Sequence, residues 1–349
     1  MWMRLPHGPI HYTRPGSDSP EYPGHGRAVA GHRRVAPRCG RRIRVDRYDR
    51  ATIERMSNEP GIADAPIVVA ADGSSSSLAA VAWAARDAAL FGCPLQIVHS
   101  IAIPAGFGPG LAAGTAQPDW LRTDGEEILT RASAVARDAG GPDLEIDAEL
   151  GLELIIGDLL VRSRSARRLV AGSRGRGAVQ RGLLGSVASA LVHHAECPVV
   201  IVKADSATDA ARADRPVLLG ADRSAHSEPA VEAAFAEANR RRVELVALHS
   251  WSDTTSLDIS MFGWDTIVKA EHGMLAEQLM PWRQRYPEVT VTLQVVRDNP
   301  AKSLLEHSDS AQLVVVGHRG RGGFAGMLLG STSGSLLHSV ECPIMVVRR

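Results

Sequence analysis

The sequence predicts an α/β protein of two tandem domains, each a doubly wound parallel sheet of five strands in the order 3-2-1-4-5 with helices on both faces. Short continuous runs of Val, Ile and Leu alternate with helical stretches, the pattern of strands buried on both faces. The chain has 349 residues, enough for two ordinary domains. Its body is also one unit written twice, since residues 171–202 align with 316–347 without a gap and with 15 identities in 32 positions.

Copy one opens with a strand over Ile67–Ala71, a helix across Ser77–Leu90 and a strand over Leu95–Ser100. A Gly/Pro-rich loop runs to about Asp119, followed by a helix over Gly125–Ala139 and a strand over Leu144–Leu150. A short helix over Asp158–Ser165, a strand over Arg168–Ala171, a glycine-rich segment, a helix over Ser186–Ala195 and a strand over Val199–Lys203 complete the unit. Copy two repeats it, with strands near Val217–Gly220, Val243–His249, Val289–Val295, Leu313–Val316 and Ile344–Val347. The domains are therefore expected over 62–204 and 215–349, joined by a polar linker over 205–214. The last strand of copy one has an open edge, which pairing with the last strand of copy two would cover.

Composition narrows the function classes. Lys plus Arg and Asp plus Glu both number 39, so no net field draws the molecule onto nucleic acid or anionic lipid. Aromatic residues at 4% argue against a base-stacking surface. Residues 1–55 nevertheless hold 12 Arg against 5 acidic residues, with six Pro and six Gly. Residues 1–61 thus form a basic extension with no means of building a core, either a disordered tail or an upstream reading-frame extension ahead of Met56. Cys39, Cys93, Cys197 and Cys342 show neither zinc nor disulfide spacing, so a reducing cytoplasm is the expected setting. No apolar run approaches the roughly 18 residues of a membrane span.

Two motifs recur. Gly172-Ser-Arg-Gly-Arg-Gly-Ala-Val-Gln-Arg-Gly-Leu-Leu-Gly-Ser186 returns as Gly317-His-Arg-Gly-Arg-Gly-Gly-Phe-Ala-Gly-Met-Leu-Leu-Gly-Ser331. Ala70-Ala-Asp72-Gly-Ser74 returns as Gly220-Ala-Asp222-Arg-Ser224. In the order 3-2-1-4-5 the chain reverses between the first and fourth strands, where an open sheet binds its ligands, and these motifs follow those two strands. Asp72 should then face the Gly172 loop, and Asp222 the Gly317 loop. Gly172 and Gly175 are expected to turn with positive φ and to bring bare amides near a ligand. Gly185-Ser186 should open a helix, Ser186 acting as its N-cap, and a helix N-terminus suits phosphate. Asp72 would hold a ribose hydroxyl or an exocyclic amine, while Arg174, Arg176 and Arg181, or Arg319 and Arg321, would add charge near the outer phosphates.

For one copy alone, a tight turn, a capped helix and a turn-forming Asp would explain as much; recurrence in both copies favours binding. No Gly-x4-Gly-Lys-Ser/Thr occurs, so a Walker-type ATPase lacks its lysine. Gly320-Arg-Gly322-Gly-Phe-Ala325 fits the loose dinucleotide fingerprint but follows the wrong strand, and copy one has Gln180 at the last position. An adenylating ATPase would need a Ser-Gly-Gly-x-Asp-Ser loop, which Ala71–Ser76 is not. His99 and His249 read as core or pocket-wall histidines, Cys197 and Cys342 as packing thiols, and His193-His194 as lacking further metal ligands.

Gly-x2-Gly-x9-Gly-Ser after a late strand, with Asp after the first strand and a closing Cys-Pro-Val-Val-Ile-Val, resembles the ATP-binding branch of the universal stress protein family. The resemblance covers residues 62–349, in two copies much like those of tandem actinobacterial members. It implies a Rossmann-like, adenine nucleotide alpha hydrolase-like fold, ATP with magnesium at the loops, and domains paired through their last strands. The chain would then be an internal pseudo-dimer, open to further homodimerisation and to an unidentified protein partner. Carried over, the sites are Asp72, Ser100, Gly172, Gly175, Gly185, Ser186 and Val187, and Asp222, Ser250, Gly317, Gly320, Gly330, Ser331 and Thr332. The family implies a nucleotide-dependent stress-response regulator, with a nucleotide-free interaction module or a slow ATPase as alternatives. No residue is visibly placed as a general base, which favours binding over turnover. Copy one departs from the pattern at its short third helix, where Ile155 and Gly157 stand opposite Pro300 and Lys302.

Overall fold

The computed structural model describes residues 65–101, 119–176, 184–204, 212–251, 264–320 and 328–348. The expected extension over 1–61, the loop before Asp119 and most of the linker lie outside these residues.

Copy one runs β1 (Ile67–Ala70), α1 (Ser75–Phe91), β2 (Leu95–Ser100), α2 (Asp119–Gly140), β3 (Ile146–Gly151), α3 (Ile155–Arg162), β4 (Arg168–Gly172), α4 (Ser186–His194) and β5 (Val199–Val202). Copy two runs β6 (Val217–Gly220), a 3-10 turn at Ala225–Ser227, α5 (Glu228–Arg241), β7 (Leu245–Ser250), α6 (Trp264–Arg285), β8 (Val291–Val296), α7 (Pro300–Ser308), β9 (Leu313–Gly317), α8 (Ser331–Ser339) and β10 (Ile344–Val347). The strand order is β3-β2-β1-β4-β5-β10-β9-β6-β7-β8. Each half reads 3-2-1-4-5 with parallel pairing, and the halves continue into one ten-stranded sheet because β5 and β10 pair antiparallel, Met345 opposite Val200. Helices cover both faces, giving two apolar cores divided by the sheet: Ile67, Val69, Leu95 and Ile97 face one, Val68, Val98, Leu169 and Ile201 the other. This alternation explains why the strands show no polar face in the sequence.

Local signals place the helices. α1 starts where the Ser74 hydroxyl accepts from the Ser77 amide, and ends at Gly92, whose φ of 65° suits the left-handed cap. α2 begins at Asp119, six residues before the expected Gly125. That glycine lies inside the helix because a Cβ there would stand 2.6 Å from Leu150 Cδ1 and 3.0 Å from Ile101 Cγ2. α3 begins three residues early, at Ile155, after a Leu154 that makes no side-chain cap bond, whereas Asn299 caps α7 by accepting from Ala301 and Lys302.

Charge is buried where α1 meets α5. Arg168 reaches Asp87 at 3.0 Å and Glu237 at 2.7 Å, and Arg241 reaches Asp87 at 2.5 Å and Glu237 at 3.0 Å. Both carboxylates are about 1% exposed, and the ring takes two residues from each copy. Arg167, Arg168 and Arg240 stack on the Phe91 ring at 4.7–5.1 Å. Burial pushes the Asp87 carboxyl up to about 6, against the pull of Arg168. Its Oδ2 faces Arg168 at ion-pair distance without a directed hydrogen bond, which leaves it the weaker acid of the two. Burial also acts on Glu237, but Arg168 and Arg241 prevail and hold it below the usual range.

Candidate functional site

The site forms at the carboxyl ends of β1 and β4, where the strand order reverses. Asp72 follows β1, and its two oxygens have separate tasks. Oδ1 accepts from the Ser74 amide at 3.0 Å and the Ser74 hydroxyl at 2.6 Å, while Oδ2 accepts from the Arg176 amide at 2.8 Å. Burial would raise its pKa, but these bonds outweigh it and hold the carboxyl below the ordinary aspartate value. The first-strand acid and the glycine loop, 104 residues apart in sequence, are thus in direct contact.

Serines in the first turn of α1 tie that helix to the loop. Ser76 Oγ accepts from the Arg174 amide at 3.3 Å and donates to the Val202 carbonyl, and Ser77 Oγ accepts from the Asp72 amide at 3.2 Å. The bridging role of this Ser run becomes visible once β1 and β4 lie side by side.

The glycines serve close approach. A Cβ on Gly172 would fall 2.6 Å from Ser76 Oγ and 2.8 Å from the Ser77 amide nitrogen, and one on Gly175 would fall 2.5 Å from Asp72 Oδ2. Neither adopts the expected positive φ; in this region that conformation occurs at Gly73, with φ 80°, and at its counterpart Arg223, with φ 59°. The capping expectation also shifts by one residue. Gly185 is the N-cap of α4 and Ser186 the first helical residue, so no side chain occupies the helix-terminal amides and they remain open donors.

These elements enclose a cavity of about 690 Å³, within the range of small-molecule sites. Asp72, Ser100, Gly172, Gly175, Gly185, Ser186 and Val187 all line it, so the structure brings every site residue expected in copy one to one cleft. His99, Ile155, Leu184 and Ala188 add apolar and ring wall. Ser100 donates its hydroxyl to the Glu153 carbonyl at 2.5 Å, tying the end of β2 to the start of α3. Of the arginines, Arg174 and Arg176 line the cavity and Arg176 pairs with Asp124 at 3.0 Å; Arg181 lies outside the described residues.

Copy two repeats the arrangement. Asp222 Oδ1 accepts from the Ser224 amide at 2.9 Å and its hydroxyl at 2.8 Å, and a Cβ on Gly320 would fall 2.6 Å from Asp222 Oδ2. A Cβ on Gly317 would meet the Arg319 carbonyl at 3.0 Å. Gly330 caps α8, with Ser331 and Thr332 as its first residues, and the Ser250 hydroxyl donates to the Asp298 carbonyl. Arg321 lies outside the described residues. The equivalent histidines share one contact: Nδ1 of His99 is 2.7 Å from the Ala71 carbonyl, and Nδ1 of His249 is 2.7 Å from that of Ala221. Since a carbonyl only accepts, Nδ1 carries the proton and each ring ties the second strand of its copy to the first.

Among the described residues no helix is long and apolar enough to cross a membrane, and no group of three His, Cys, Asp or Glu is disposed to hold a metal.

The universal stress protein family model matches residues 65–203 and again 215–348. A universal stress protein of Mycobacterium tuberculosis strain H37Rv is 41% identical over 285 residues, covering 81% of this chain and 97% of that protein. One from Mycolicibacterium smegmatis is 43% identical over 290 residues, covering 81% and 96%. The crystal structure of a universal stress protein from Archaeoglobus fulgidus DSM 4304 superposes with a TM-score of 0.59 at 19% identity, over 81% of this chain and 98% of that one, a likeness of fold. With the family pattern matched twice, and with such relatives aligned along both copies, the chain belongs to the universal stress protein family.

Proposed function

We propose that the protein binds ATP, one molecule in each copy, and acts as a nucleotide-dependent regulator in the stress response. One observation carries this reading: the acidic group after the first strand and the glycine loop after the fourth meet around a single cavity that ends on uncapped helix amides. The division of chemistry within the cavity supports a nucleotide. The uncapped amides of α4 favour phosphate. Asp72 would repel phosphate and accept from a ribose hydroxyl, and the apolar wall of Ile155, Leu184 and Val187 suits a base.

Magnesium belongs to the same proposal in a limited way. Both oxygens of Asp72 already accept hydrogen bonds, so the residues fit an ion carried on the phosphates, with the Ser186 hydroxyl nearby, and not a protein cage. When bound, the ion would neutralise phosphate charge. The same bonds make Asp72 an anchor and a poor proton acceptor, so hydrolysis is expected to be slow at most.

Mass spectrometry of nucleotide released from purified protein, with binding titrations, tests the reading. Wild type should take up two adenine nucleotides per chain, Gly175→Ala and Gly320→Ala one each, and the double variant none. Purified protein that carries no adenine nucleotide, and binds none at millimolar concentration, would overturn the proposal and leave an interaction module of the same fold.

A further inference from the structure

The helix that opens each site is held at its far end by the other copy. In copy one the Gly185 amide, at the N-cap of α4, donates to the Ser173 carbonyl at 2.8 Å. The Ser173 amide in turn donates to the Val202 carbonyl, at the end of β5, at 2.8 Å. The next residue, Lys203, crosses to copy two, donating to the His338 carbonyl in the last turn of α8 at 3.2 Å and pairing with Glu341 at 3.1 Å. Copy two returns the chain. The Gly330 amide, at the N-cap of α8, donates to the His318 carbonyl at 2.7 Å, and the His318 amide donates to the Val347 carbonyl, at the end of β10, at 2.8 Å. Arg348 follows and donates to the His193 carbonyl, in the last turn of α4.

The circuit closes because of the topology. Antiparallel pairing of β5 with β10 lays the carboxyl end of each strand beside the amino end of the other, just after the helix that precedes it. The residue following one last strand therefore meets the end of the other copy's last helix, and it does so twice. Last-turn carbonyls lack partners within their helix and carry the negative end of its dipole, which a cation favours. Each helix has nine residues, so about 13 Å separates that carbonyl end from the amides that open the site.

We propose that this circuit couples the two nucleotide sites, so that ATP bound at one raises the affinity of the other. The inference rests on the nucleotide reading above and adds regulation between its two sites. A ligand held at Gly172 and Gly175 fixes the Ser173 backbone and, through Val202, holds Lys203 against α8. A cation held at the carboxyl end of α8 steadies that helix, whose amino end opens the second site. The return path through His318, Val347 and Arg348 acts on α4 in the same way. Packed elements joined by hydrogen bonds carry coupling of this kind, and by linkage its size is equal in both directions.

Calorimetric titration with ATP tests this. Gly175→Val, whose side chain would collide with the Asp72 carboxylate, leaves the second site; Gly320→Val, which would collide with Asp222, leaves the first. The product of their two association constants is the value expected for independent sites. In the wild type the product of the two stepwise constants should exceed that value by about fivefold. Lys203→Met with Arg348→Met removes both bridging cations. Measured against single-site proteins carrying the same two changes, the ratio should then fall to within twofold of one. Lys203→Arg with Arg348→Lys keeps both donors and should keep the ratio, as should Glu341→Gln, which removes only the ion pair. A wild-type ratio within twofold of one or below it, one that survives the methionine changes, or one lost equally in the conservative exchange overturns the proposal and leaves two independent sites. If neither the wild type nor a single-site protein binds adenine nucleotide at millimolar concentration while all keep the wild-type melting profile, the nucleotide reading fails and the proposal with it.

Discussion

Replacing Arg168 with Met tests the buried ring between the copies. Arg168 is the cation that touches both Asp87, at 3.0 Å, and Glu237, at 2.7 Å, and all three side chains are nearly inaccessible. At an effective dielectric of about 20, each contact is an attraction of roughly 5–6 kcal/mol before the cost of desolvating the ions is set against it. Methionine fills a similar volume, so the loss is electrostatic: two buried carboxylates would share Arg241 alone. Removing one partner of a buried network typically costs about 3–5 kcal/mol, which for a unit of this size is a fall of roughly 6–12 °C in Tm.

The pH dependence gives a second and sharper readout. In the wild type Asp87 has a folded pKa of about 6, above its ordinary value, so its contribution is full below about pH 4 and is lost as pH rises through 6. Glu237 runs the other way, its contribution present above its ordinary value and lost as pH falls. Without Arg168 both carboxyls move up, and the stability deficit should be largest near pH 8 and shrink towards pH 5. Urea unfolding followed by circular dichroism at both pH values measures this, and Asp87→Asn added to Arg168→Met should recover part of the loss. A deficit under about 1 kcal/mol at pH 8, or one unchanged at pH 5, would refute the reasoning.

Two further outcomes concern caps and thiols. Asn299→Ala removes the acceptor for the Ala301 and Lys302 amides and should cost about 1 kcal/mol, while Leu154→Asn supplies the missing cap of α3 and should stabilise by roughly 0.5–1 kcal/mol; thermal melts of both decide it. Burial pushes the thiols of Cys197 and Cys342 up to about 12 and raises that of Cys93, so in a Cys39→Ser protein a thiol reagent at neutral pH should react with none until denaturant is added.

Much of this fold was legible because parallel strands buried on both faces have to be apolar throughout. The strands were read to within two residues, as at Leu95–Ser100 and Ile344–Val347, and the recurrence of Asp72 and Asp222 with their loops located the cleft. Gly125 misled: as a helix-boundary residue it suggested the start of a helix, yet the residue is small because Leu150 and Ile101 press on it. Leu154 gave no polar sign that α3 begins beside it. The ring escaped for another reason. Asp87, Arg168 and the Glu237–Arg241 pair of α5 are far apart in sequence and come together only through the β5–β10 pairing, although an acid inside the apolar stretch from Leu78 to Phe91 was a trace of it.

Where the copies diverge follows from the same physics. The strands that pack the two cores keep the same residue classes, because a change of volume there is felt by several neighbours. Variation gathers at the carboxyl ends, where Gly73, Ser76 and Ser173 become Arg223, His226 and His318. Arg223 shows what such a change requires. It keeps the positive φ of the glycine it replaces, a conformation that costs a side-chain-bearing residue roughly 1–2 kcal/mol. Glu271 on α6 holds its guanidinium and approaches His249 Nε2 at 3.4 Å, whereas in copy one Gly73 packs against Ile128 instead. The turn after the first strand is therefore braced by charge in copy two and by apolar packing in copy one. A continuous sheet and a buried ring fix both halves in place, so the loops above them can take different side chains without altering the fold beneath.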